Sequence, residues 1–79
     1  MNVNIENAIK ARNKSLLKKI KISDRVRVLR SLDTSKLSFI QRREVELNIQ
    51  LGLDQMAECE KDIKMFQQNI DRQMNELEE

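Results

Sequence analysis

The chain has 79 residues, 15 Lys or Arg against 13 Asp or Glu, no His, no Pro, one Gly and one Cys. That length allows a single domain, 1–79, with a small core, and a lone Cys59 with no His excludes both an internal disulfide and a Cys/His zinc site. Strand-rich folds draw heavily on Gly and Pro for their turns, so their scarcity predicts an all-α protein.

The first predicted element is a helix over about 5–21. Ile5, Ile9, Leu16 and Ile20 recur at helical spacing, Asn4 is placed to cap the start, and Lys18, Lys19 and Lys21 suit the negative C-terminal end.

Residues 19–28 allow two readings. Lys19-Ile20-Lys21-Ile22 and Arg25-Val26-Arg27-Val28 both alternate, as two strands would. Ser23-Asp24 is a poor hairpin turn, however, because the favoured turns need positive φ. The alternative is a short second helix over 24–32, capped by Ser23, with Ile22, Val26, Leu29 and Leu32 on one side.

Asp33-Thr34-Ser35 predicts a break. Ser38 and Gln41 then have the spacing of a capping box, in which each side chain meets the other's backbone amide. Leu37 precedes the cap, but Arg42 occupies the position where a hydrophobic staple would carry an apolar residue.

A long helix is predicted over 39–77. Ile49, Met56, Ile63, Ile70 and Leu77 recur every seven residues, with Val45, Cys59 and Phe66 between them and Leu53 and Met74 flanking. This is a heptad-type stripe, which suits either a coiled-coil seam or one helix packing in an ordinary bundle. Cys59 on that stripe reads as a small buried hydrophobe. Gly52 is either a tolerated weak point or the mark of a close helix crossing or a bend.

The expected architecture is two short helices folded back on one long one, a helical hairpin that associates as a coiled coil. A helix over 39–77 spans about 58 Å, and upstream helices of about 26 residues are too short to cover it. The surplus predicts a homo-oligomer, a dimer or higher, with Ile49, Leu53, Met56, Cys59, Ile63, Phe66, Ile70 and Met74 at the oligomer or partner interface.

Charge is unevenly spread. Residues 1–36 carry ten cations and three anions, and residues 37–79 carry five cations and ten anions. The basic half either lies antiparallel against the acidic helix, within or between chains, or binds nucleic acid or another phosphorylated anion through Lys18, Lys19, Lys21, Arg25, Arg27 and Arg30. Only Phe39 and Phe66 are aromatic, which leaves few platforms for stacked bases.

Without His, the commonest general base and every Ser–His or Cys–His nucleophile are missing. The carboxylates read as a solvated acidic face. No apolar run reaches the length of a membrane span. The sequence therefore predicts a cytoplasmic, non-enzymatic protein with no cofactor, acting on a protein partner as an adaptor, chaperone or inhibitor, or alternatively as a small anion-binding regulator.

Overall fold

The computed structural model describes residues 3–78. Among them the chain forms two α-helices, α1 over Val3–Ser31 and α2 over Phe39–Glu78, which pack against each other as a hairpin. The molecule measures 62 × 15 × 14 Å.

The first helix corrects the expected pair of short ones. Helices over 5–21 and 24–32 are one continuous helix, and 19–28 contains neither a hairpin nor a break. No Pro or Gly interrupts this stretch. Ile22 and Val26, four residues apart, are both buried, so a single helical face runs across Ser23-Asp24. The polar side chains there are accommodated within the helix. Arg27 Nη2 donates to Asp24 Oδ1 at 3.1 Å, and Ser31 Oγ donates to the Val28 carbonyl at 2.7 Å.

The face that α1 buries also differs from the expected one. Ile5, Ala8, Ile22 and Val26 are buried, with Arg12, Ser15 and Lys19 half-buried between them. This is a regular three–four spacing with a polar middle. Leu16 and Ile20, which the shorter stripe shared with Ile5 and Ile9, are exposed.

The connection is short and internally bonded. Ser38 and Gln41 form the capping box: the Ser38 amide donates to Gln41 Oε1 at 3.0 Å and the Gln41 amide to Ser38 Oγ at 3.2 Å. Arg42 replaces the missing staple with polar bonds. Its Nε donates to the Thr34 carbonyl at 3.1 Å and its Nη2 to the Ser35 carbonyl at 3.2 Å.

The core lies between the two helices toward the turn end of the hairpin. Ile22, Val26 and Cys59 are its buried centre, and Ile49, Leu53 and Met56 pack against them. Gly52 is buried in the same place. A Cβ there would lie 2.5 Å from Val26 Cγ2, and its φ is not positive. The glycine is there for space rather than for backbone freedom.

Candidate interaction surfaces

Two kinds of surface compete for a role: the seam between α1 and α2, and the outward strips left after the seam has closed. The seam accounts for most of the predicted interface. Ile49, Leu53, Met56 and Cys59 pack at the core with α1, Ile70 is buried, and Ile63 and Phe66 are half-buried. Met74 is exposed. The upstream helix covers more of the long one than two short helices would, and still falls short of its full length. A continuous 29-residue α1 is about 44 Å long and runs beside α2, itself about 60 Å, for most of its length.

Two polar contacts set the register of the seam. Arg12 Nη1 donates to Gln67 Oε1 at 2.8 Å, and Lys19 Nζ lies 3.2 Å from Glu60 Oε1. Seven residues forward on α1 match seven residues back on α2, as an antiparallel pair requires. The isolated sequence hid these contacts because each joins residues about forty or more positions apart. Their signal was the three–four spacing of Arg12, Ser15 and Lys19 between Ala8 and Ile22.

The charge imbalance is not used up by the hairpin. Of the five ion pairs among the described residues, four join neighbours on one helix and only Lys19–Glu60 crosses between helices. The predicted anion-binding residues therefore separate. Lys19 is engaged in the seam and Arg27 pairs with Asp24 at 3.1 Å. Arg30 is exposed, on a different side of α1 from Lys18, Lys21 and Arg25. Those last three share one exposed strip with Lys14, at spacings of four, three and four, and make no ion pair among the described residues.

α2 carries the opposite strip. Ile40, Glu44, Leu47, Leu51, Asp54, Glu58, Asp62 and Met65 are all exposed and recur at three or four residues. They lie away from the heptad positions that fill the seam. This pattern was readable in the sequence but was masked by the stronger seam beside it. Further aliphatic residues, Leu16, Leu17 and Ile20, are exposed on α1.

Among the described residues, no group of three or more Cys, Asp or Glu is arranged to hold a metal ion, and no helix is long and apolar enough to cross a membrane. A shallow hollow near the open end of the hairpin is lined by Asn4, Asn7, Ala11, Phe66, Asn69 and Gln73, and none of these side chains ionises. Comparison with known proteins finds no matching family model, no matching curated protein and no matching solved structure.

Proposed function

We propose that this chain is a non-enzymatic interaction protein that acts through helix–helix contacts, as an oligomer and with a protein partner. It works as an adaptor, chaperone or inhibitor in the cytoplasm. One observation carries the reading: after the hairpin has closed its own seam, both helices still expose rows of large aliphatic residues, Leu16, Leu17 and Ile20 on α1 and Ile40, Leu47 and Leu51 on α2. Rows of this kind, flanked by charge, suit a partner helix laid alongside.

A second reading rests on a separate observation. The strip of Lys14, Lys18, Lys21 and Arg25, which forms no ion pair among the described residues, offers four cations over about 16 Å, a spacing that suits a polyanion.

Co-purification from the native cell at low and high salt separates the two. The first reading predicts a protein partner retained at high salt. Retention of nucleic acid alone, lost steeply as salt rises, would replace it with the second.

A further inference from the structure

We propose that a second copy of this chain covers the flat side of the hairpin that carries both charged strips, in a two-fold dimer whose axis runs along the hairpin. This deepens the proposed helix–helix role and rests on it.

The two strips lie on the same side of the molecule. On α1, the strip of Lys14, Lys18, Lys21 and Arg25 lies about 120° around the helix from the buried face, at 100° per residue. On α2, the strip of Leu51, Asp54, Glu58 and Asp62 lies at about the same angle in the same sense. Because the helices are antiparallel, equal rotations bring both strips to one flat side.

The register then decides the occupant. Arg12 against Gln67 and Lys19 against Glu60 continue along the hairpin to set Val28 level with Leu51, Arg25 with Asp54 and Lys21 with Glu58. Lys18 falls beside Asp62, and Leu32 is level with Leu47. A two-fold axis along the hairpin lays α1 of one copy over α2 of the other without changing any of these heights. Cations then meet anions in the middle, and aliphatic residues meet aliphatic residues at the turn end. An axis across the hairpin would set α1 on α1 and oppose like charges. Lys14, level with Met65, gains no anion; the opposite flat side is still a poorer match, because it sets Leu16 beside Lys64 and Ile20 beside Glu60. The contact is self-complementary, so it closes at two copies. Charge sets its orientation and the aliphatic rungs keep it apolar at one end.

The test uses the full chain with Cys59→Ala, so that introduced cysteines are the only thiols. One chain carries Lys21→Cys and another carries Glu58→Cys, and the two are mixed and oxidised. The proposal predicts that the mixed disulfide dominates over either like-with-like product. A dominant Lys21→Cys homodimer would overturn it. If the Cys59→Ala background fails to fold, charge reversal needs no cysteine change. Chains carrying Lys18→Glu with Lys21→Glu, and chains carrying Glu58→Lys with Asp62→Lys, should each dimerise about tenfold or more weakly alone and recover when mixed. Variants that dimerise as well as the unaltered chain would reject this arrangement and leave the broader role standing. An unaltered chain that stays monomeric would remove both the arrangement and the self-association in the proposed role.

Discussion

Gly52 lies directly against Val26, so that a Cβ at position 52 would fall 2.5 Å from Val26 Cγ2. Two effects oppose each other at this position. Alanine favours a helix over glycine by about 1 kcal/mol. Overpacking a tight core costs about 1–3 kcal/mol, and β-branched Val26 has little rotamer freedom in a helix with which to yield. Gly52→Ala should therefore destabilise the hairpin by up to about 2 kcal/mol. Combined with Val26→Ala the sign should reverse, since the clashing methyl is gone. Urea titration of both pairs of chains checks this; a stabilising Gly52→Ala in the unaltered background would show that the helices are further apart than described.

Much of the fold was readable beforehand, and the reasons are local. α2 has a seven-residue repeat along one face and a capping box at Ser38 and Gln41 that marks its start, both patterns contained within the helix itself. The continuity of α1 is not legible in the sequence, because its buried face is interrupted by Arg12, Ser15 and Lys19, and the partners of Arg12 and Lys19 lie on the other helix. Ile9, Leu16 and Ile20 make a more apolar row than the one that is buried. Ser23-Asp24 also resembles a cap, and only the joint burial of Ile22 and Val26 overrides it. Nothing in the sequence shows that Val26 comes opposite Gly52, so the role of the glycine is not legible there.

Ile63 tests whether the seam holds the hairpin together. It is half-buried on the heptad face of α2. Ile63→Asp removes apolar burial and places a charge between helices, at a cost of about 2–4 kcal/mol. Helix content by circular dichroism should fall sharply. A variant that keeps its helicity would show that this part of the seam contributes little.

Lys19 tests the polar middle of α1. Its side chain is 34% exposed and meets a Glu60 side chain that is 59% exposed, so the ion pair contributes at most about 1 kcal/mol. Lys19→Met extends the apolar seam and should raise the denaturation midpoint slightly. A clear loss of stability would mean that the Lys19–Glu60 contact does more than set register.

Asp33 tests the loop. The Ser35 hydroxyl, and then the Ser35 backbone amide, hold its carboxyl below the ordinary aspartate range, and the amide bond measures 3.0 Å. A lowered folded value means that the contribution is present above the ordinary aspartate pKa and fades as pH falls through the folded value. NMR titration should find Asp33 more acidic than a free aspartate, and Ser35→Ala should raise it. An unchanged titration in Ser35→Ala would dissociate the two residues.

The most direct measurement of the whole account is sedimentation equilibrium of the unaltered chain over a dilution series, with circular dichroism on the same samples. Because each copy closes its own seam while its outward strips await a second copy, the mass should rise from 9.4 kDa toward twice that value with concentration, and helix content should not change. A mass fixed at the single-chain value across the series, or helicity lost on dilution, would contradict it.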